Sequence, residues 1–339
     1  MLLIPNTFGL GHFARQHLRL AAGQLPPAMA DLPCLVVGEG SNIVPVEDFD
    51  GCLLQLADDS LQWWAEDDSW QLRAGGGLNW HELVTRLVKA GIGGLENLAL
   101  IPGTVGAAPV QNIGAYGLEV GERIVSVSGV DRLTGQPFCL SRDACQFGYR
   151  HSWFKTPAGQ NALITSVHLA LPRPWQPRLT YAPLMAAMAE TAATPAAIYA
   201  AVCAVRQQKL PDWIKMGNAG SFFKNPLVSA AIAADLVARF PRLVTFAQAD
   251  GQVKLAAGWL IDHCGLKGFA VGGAAVHSEQ ALVLVNRSGQ ATSRDLLQLA
   301  LAVRERVAAT FGVQLEPEVR FIGQHGELSF ADALARHSL

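Results

Sequence analysis

The sequence predicts an α+β chain in three parts, and three observations lead there. Short apolar or alternating runs of strand character recur from Cys34 to Leu171, while helical stripes dominate after Thr194. Between them, residues 75–121 hold eleven glycines in 47 positions, far above the roughly 7% background. The length of 339 residues, 50% of them hydrophobic and 16% charged, exceeds one typical domain and supplies more than one core.

The first strand reads as Cys34-Leu35-Val36-Val37, a short apolar run that breaks at Gly38-Glu39-Gly40-Ser41-Asn42. Residues 52–56, 61–65 and 70–74 are further strands, rich in Leu and Trp and ended by Gly75-Gly76-Gly77. Asn79 is placed to N-cap a helix running to Ala90, with Gly91 as its stop. The glycine-rich stretch that follows cannot be mostly helix. It is a set of tight loops where backbone must pass close to something. Strand texture returns at 124–130 and 163–171. Thr194-Pro195 then opens a helix to about Gln208, with proline at its first position.

Helices follow at about 229–239, 254–263 and 293–311. In the last, Leu296, Leu299, Ala300, Val303, Val307 and Phe311 form one stripe. Val313 to Ile322 is a closing strand, expected to return to the middle part because a lone strand needs a sheet. Boundaries fall near 55 and 195.

Composition excludes several classes. With a net charge of −2 and scattered Lys and Arg, no basic face suggests nucleic acid. No apolar run reaches the length of a membrane span, and the start, Met1-Leu2-Leu3-Ile4-Pro5, lacks the features of a signal peptide. Six cysteines without CxxC pairing read as reduced thiols in a cytoplasmic protein. Nine histidines without HxH or HxxxH spacing offer no metal site.

Four segments carry candidate chemistry. Gly38-Glu39-Gly40-Ser41-Asn42-Ile43 fails as a dinucleotide fingerprint, because Ile43 stands where a third glycine belongs and Pro45 blocks a helix. What remains is a small-residue loop able to line N–H groups on a phosphate, or an ordinary turn, and the loop alone slightly favours the turn. The run from Ile101 to Gly117 mixes glycine and proline with Gln111 and Asn112 and has almost no charge. It suits backbone laid against a planar, polar, largely uncharged ligand. Gly217–Pro226 combines a turn with Ser221 and two amides, outside any GxSxG context. In Leu315–Phe321, period-two alternation puts Glu316, Glu318 and Arg320 on one face, with Pro317 confining the strand to an edge.

Together these motifs resemble the UDP-N-acetylenolpyruvoylglucosamine reductase family. The resemblance runs through Asn6-Thr7-Phe8-Gly9, GEGSN at 38–42, Gly94 to Gly117, Phe147-Gly148-Tyr149-Arg150 and Leu179-Thr180-Tyr181. It continues through Lys209-Leu210-Pro211-Asp212, GNAGSFFKNP at 217–226, Lys254–Asp262, Gly272–His277 and LEPEVRF at 315–321. The tyrosine segment resembles the subclass whose tyrosine loop closes over substrate.

The resemblance implies a two-part FAD-binding fold of the vanillyl-alcohol oxidase type plus a C-terminal α/β substrate-binding domain. The parts would be 1–55, 56–195 joined by 312–339, and 196–311. It implies non-covalent FAD, NADPH as reductant, UDP-N-acetylglucosamine enolpyruvate as substrate, and no nucleic acid or membrane insertion. A monomer is expected. Gly38, Gly40, Ser41, Asn42, Pro102, Gly103, Gly106, Gln111, Asn112, Gly114, Tyr116 and Arg320 would then contact FAD. Tyr181, Lys209, Asn225 and Gln280 would contact substrate, and Arg150, Ser221 and Glu318 would form the catalytic group.

In that chemistry Arg150 stabilises negative charge growing beside the substrate carboxylate, and Ser221 acts as general acid toward carbon. Glu318 beside a second carboxylate either holds a proton or is neutralised by Arg150. Two departures stand out. The stretch from Gly9 to Gly38 is shorter than the family's, with Gln24-Leu25-Pro26-Pro27 interrupting its helix. Ala107-Ala108 lack hydroxyls, so any ligand contact there must be backbone. Three rival readings are a flavin oxidase of the same fold, a non-catalytic flavin protein, and a structural α+β protein. They require respectively coincidental 217–226 and 315–321 motifs, erosion at the catalytic group, and a colourless protein.

Overall fold

The structure, a computed structural model, describes residues 1–24, 32–248 and 250–339. The chain forms two compact units. The glycine-loop unit comprises Arg15–Glu39 and Gly51–Gln208, and the closing-strand unit comprises Met1–Ala14, Gly40–Asp50 and Lys209–Leu339. These cuts differ from boundaries at 55 and 195, because the chain passes back and forth before settling in either unit.

The glycine-loop unit is built on a five-stranded sheet in the order Pro137–Ser141, Ile124–Asp131, Ala162–Pro172, Ser69–Gly75, Leu61–Ala65. Every pairing in it is antiparallel. Helix α1 (Trp80–Lys89) starts where expected: the Asn79 side chain accepts from the Glu82 amide, and Gly91 takes φ 75° just beyond the end. Trp80, Leu83, Val84 and Leu87 of α1 share a core with Leu72, Val127, Val167 and Leu169 of the sheet. Helices α2 (Ala182–Ala187) and α3 (Pro195–Lys209) add Leu184, Ile198 and Val202 to it. Cys34–Val36 pairs in parallel with Cys52–Leu54. All six cysteines are free thiols.

The closing-strand unit carries α4 (Ala230–Arg239), α5 (Ala257–His263), α6 (Ser293–Phe311) and α7 (Phe330–Arg336). A four-stranded sheet runs in the order Asn218–Ser221, Val283–Asn286, Ala274–Val276, Ala270–Val271. The stripe read on α6 is the buried one: Leu296, Leu299, Ala300, Val303, Val307 and Phe311 all lie in this unit's core. A Thr292–Asp295 capping box starts α6, and Gly312 ends it with φ 68°.

Four expectations change. The closing strand is Arg320–Gly323 and pairs in parallel with Ile43–Pro45, so it does not return to the 56–195 sheet. Residues 316–318 run instead beside 222–224, since Pro317 has no N–H to continue a regular ladder. The helix read at 254–263 begins only at Ala257, because Val253–Leu255 pairs with both Leu227–Val228 and Thr245–Ala247. In the short N-terminal stretch, Phe13–Leu20 is a strand and not a helix, while the Pro26-Pro27 interruption lies outside the described residues.

The glycines at 75–77 allow one of the close backbone approaches of this unit. A Cβ on Gly76 would lie 2.3 Å from the Ile164 carbonyl and 2.8 Å from Leu56 Cδ1. Gly76→Ala is therefore expected to lower the melting temperature by an amount equivalent to about 1–3 kcal/mol. A melting temperature equal to the parent's in differential scanning calorimetry would contradict the contact.

Candidate functional site

In the glycine-loop unit, the two loops singled out from sequence are fastened together by a side chain between two glycines. Glu39 accepts from Asn79 Nδ2 at 2.6 Å and from the Gly103 amide at 3.0 Å. Gln55 donates to the Gly38 carbonyl at 2.8 Å, and a Cβ on Gly38 would sit 3.0 Å from Thr104 Oγ1. The segment after Pro102 then lies on backbone: the Val105 amide donates to the Leu78 carbonyl and the Gly106 amide to the Gly76 carbonyl. The amides of Ala107 and Ala108 both turn back to the Thr104 carbonyl, so these two N–H groups already serve the loop.

Backbone strain concentrates in the same stretch. Of the six non-glycine residues with positive φ among the described residues, five lie between 100 and 150: Leu100, Asn112, Tyr116, Gln146 and Arg150. Such conformations persist only where surrounding contacts over-determine them. Asn112 shows how. It is 2% exposed, and its amide donates to Glu119 Oε2 at 2.8 Å and the Gly148 carbonyl at 3.1 Å, while its oxygen accepts from the Gly121 amide at 2.8 Å. Asn112 thus shapes the loop from within, whereas Gln111 beside it is half-buried.

Gly114-Ala115 pairs with Leu118-Glu119, leaving Tyr116 (φ 51°) and Gly117 (φ 82°) as a two-residue hairpin turn with both φ positive. This turn presents Tyr116 edge-on to Tyr181, ring centroids 5.2 Å apart. Asn97 joins the two tyrosine segments by donating to the carbonyls of Tyr116 and Arg178, each at 2.9 Å. Arg150 reaches the Gly114 carbonyl at 3.2 Å.

No sequence motif marks Arg206. It stands on α3 at helical spacing from the buried Ile198 and Val202, and a charge in such a stripe is the signal that could have found it. Arg206 donates to the Tyr116 hydroxyl, and its strongest electrostatic neighbours are Tyr116, Cys203 and Arg150. Burial pushes its pKa down, as does Arg150, so this is an unfavourable place for a cation. Burial likewise raises the Tyr116 phenol pKa, with Arg206 opposing the rise.

In the closing-strand unit, hydrogen bonds to main-chain carbonyls link Asn42, Glu318 and Arg320 to one another and to the segment after Ser221. The Glu318 amide donates to the Phe222 carbonyl at 2.8 Å, which sets Glu318 beside the residue that follows Ser221. Asn42 Nδ2 donates to the Glu318 carbonyl at 3.3 Å, and the Arg320 amide donates to the Asn42 carbonyl at 2.9 Å. Glu318 and Arg320 are partly exposed between the buried Leu315, Val319 and Phe321, so the alternation read from sequence holds even where the strand does not. Arg320 Nε pairs with Glu327 at 2.7 Å. Ser221 ends a strand whose register shifts between Asn218 and Ser221. The buried Asn218 holds that irregularity, accepting from the Gly220 amide at 3.0 Å and donating to the carbonyls of Pro211 and Met216.

Of the other predicted residues in this unit, Gly40 has φ 77°, and a Cβ there would lie 2.0 Å from the Pro5 carbonyl, so only glycine fits. The Ser41 carbonyl accepts from Thr7 Oγ1 at 3.4 Å. Asn225 Oδ1 accepts from the Ala257 amide at 2.9 Å, the Gln280 main-chain N–H donates to His277 Nδ1 at 3.1 Å, and Lys209 ends α3. Asp48, His12 and Ser293 have the composition of a hydrolase triad. Ser293 is only 4% exposed and also donates to the Pro45 carbonyl, so this set fastens the fold.

Comparison with known proteins agrees with both halves of this description. Residues 212–322 match the family model of the C-terminal domain of UDP-N-acetylenolpyruvoylglucosamine reductase, and residues 27–136 match an FAD-binding domain. The chain is 52% identical over 330 residues to the UDP-N-acetylenolpyruvoylglucosamine reductase of Shewanella sp. (strain ANA-3), covering 96% of each chain. It is 48% identical over 338 residues to that of Escherichia coli (strain K12), covering 97% of this chain and 98% of the relative. The chain belongs to the UDP-N-acetylenolpyruvoylglucosamine reductase family. A reductase structure from Thermus caldophilus shares the fold, with a TM-score of 0.62 at 24% identity, covering 94% of this chain and 95% of that one.

FAD is the cofactor that this family's FAD-binding domain takes, and the residues fit it. Arg206 Nε is a buried donor with no acceptor among the described residues, which costs about 1–3 kcal/mol unless a polar group meets it. The flavin's carbonyl edge and the diphosphate both supply acceptors. Arg206→Met is accordingly expected to raise the melting temperature of the flavin-free protein while weakening FAD binding. Calorimetry of the flavin-free form and a flavin fluorescence titration check the two halves. Loss of both stability and affinity would make Arg206 a structural cation.

Proposed function

We propose that this chain is an FAD-dependent NADPH oxidoreductase that reduces the enolpyruvyl ether of UDP-N-acetylglucosamine enolpyruvate to UDP-N-acetylmuramate. The observation that carries the reading is full-length identity near 50% to named reductases, in a chain that retains Arg150, Ser221 and Glu318. The product class places the protein in peptidoglycan precursor synthesis, and so in cell-wall growth, cell shape and division. Free thiols throughout support action in the cytoplasm. We take the protein to act as a monomer.

The chemistry that bound FAD supplies is hydride transfer from NADPH to the terminal carbon of the enolpyruvyl group. The chain's own residues manage charge and proton. Arg150 stabilises the negative charge that develops next to the substrate carboxylate, where a charge-assisted pair has its largest effect. Ser221 gives a proton to the adjacent carbon. The bond between the Glu318 amide and the Phe222 carbonyl supports a shared task, since it fixes Glu318 relative to Ser221 without using either side chain. Tyr181, Lys209, Asn225 and Gln280 are assigned to the nucleotide sugar. The loops at 38–42 and 101–117, with Arg320, are assigned to the flavin.

Ser221→Ala is expected to leave NADPH reduction of the flavin near normal. Reoxidation by the enolpyruvyl substrate should fall by about 10²–10⁴, the range for a positioned general acid. Stopped-flow absorbance of each half-reaction separates the two. Equal slowing of both would remove Ser221 from the chemistry and return it to the fold.

A further inference from the structure

The loop that opens at Ile101 is held at its root by a closed circuit of polar groups in the glycine-loop unit. Leu100 takes φ 57°, a conformation that costs a non-glycine residue about 1 kcal/mol or more. Its amide donates to His81 Nδ1 at 3.0 Å. A ring nitrogen that accepts cannot carry a proton, so the ring's one hydrogen sits on Nε2. Nε2 lies 3.4 Å from the Tyr199 hydroxyl, which lies 2.8 Å from Thr85 Oγ1. Thr85 donates in turn to the carbonyl of His81 at 2.8 Å. Each hydrogen therefore has one place: His81 Nε2–H to Tyr199, Tyr199 O–H to Thr85, Thr85 O–H to the His81 carbonyl. The His81 and Tyr199 rings stack with 4° between their planes and centroids 5.7 Å apart.

We propose that His81 is a positioning residue for the flavin loop, holding Leu100 and hence 101–117 with a neutral ring and releasing them when the ring gains a second proton. A second proton would sit on Nδ1 and face the Leu100 N–H, donor against donor. The ionisable groups around the ring come from α3. They are Tyr199 against its face, Cys203 hydrogen-bonded to Tyr199, and the Arg206 cation acting on His81 through space. From α1, Thr85 completes the circuit, and the 99–101 segment presents backbone.

Burial and then Arg206 hold the His81 pKa below 6.5, which favours the neutral ring. A histidine with a lowered folded pKa contributes stability above its unfolded value. That contribution is lost as pH falls from 6.5 through the lowered pKa. The arrangement also links the flavin loop to Arg206, so the same guanidinium that meets Tyr116 keeps His81 unprotonated.

This inference rests on reading 101–117 as the flavin loop, and its test separates the two. FAD affinity of the full chain is measured by flavin fluorescence from pH 7.5 down to 5.5, alongside hydrogen exchange at Leu100. The parent is expected to lose about tenfold in affinity, the size of one net hydrogen bond, and Leu100 protection should fall in step. His81→Asn places an amide oxygen where Nδ1 stood and does not titrate, so it should keep the parent's pH 7.5 affinity and protection at both ends. His81→Phe, with a ring but no acceptor, should bind weakly throughout. An acid loss in His81→Asn equal to the parent's would overturn the proposal. Full affinity in His81→Phe would do the same. If FAD fails to bind the parent at pH 7.5, the flavin reading fails, and Leu100 exchange alone still decides the role of His81.

Discussion

Backbone lying directly on backbone is the constraint from which the glycine-loop unit is built. The Gly76 amide donates to the Thr165 carbonyl, and the Gly76 carbonyl accepts from the Gly106 amide. Three segments distant in sequence thereby stack with no side chain between them. A Cβ at Gly76 or Gly106 would fall within 3.0 Å of carbonyl oxygens. Once this stack is fixed, α1 can start only at Asn79, and Asn79 can meet Glu39. The loop after Pro102 then runs beside residues 76–79, just past the end of the Ser69–Gly75 strand.

Strain is the consequence. A loop pinned to backbone at one end cannot relax, so Leu100, Asn112, Tyr116 and Arg150 adopt left-handed conformations that free chains avoid. Each has a specific restraint: His81 for Leu100, a committed side-chain amide for Asn112, a hairpin turn for Tyr116, and the Gly114 carbonyl for the Arg150 guanidinium. Arg206 sits behind Tyr116, where burial opposes its charge. Stability has been given up in one place to aim donors, as is common where a protein binds a polar ligand.

The closing-strand unit solves a different problem with similar means. Ser221 and Glu318 are 97 positions apart in the sequence. Main-chain bonds from Lys224 to Glu316 and from Glu318 to Phe222 register the two segments. Pro317 ends regular pairing at the point where the strand must bend toward Ile43–Pro45.

Local chemistry was legible in the sequence wherever a single residue type determines the outcome. Asn79 and Gly91 bracketed α1, the α6 stripe was the buried one, and alternation from Leu315 to Phe321 sorted Glu318 and Arg320 from the core. These are short-range facts, set by backbone geometry and periodicity. Only tertiary structure decided which strand receives Arg320–Gly323, that Asn112 is spent inside its loop, and that Arg206 meets Tyr116 while His81 holds Leu100. The reason is physical: a hydrogen bond between residues tens of positions apart leaves no periodic trace. An arginine or histidine on a helix looks the same in sequence whether it faces water or a strained amide.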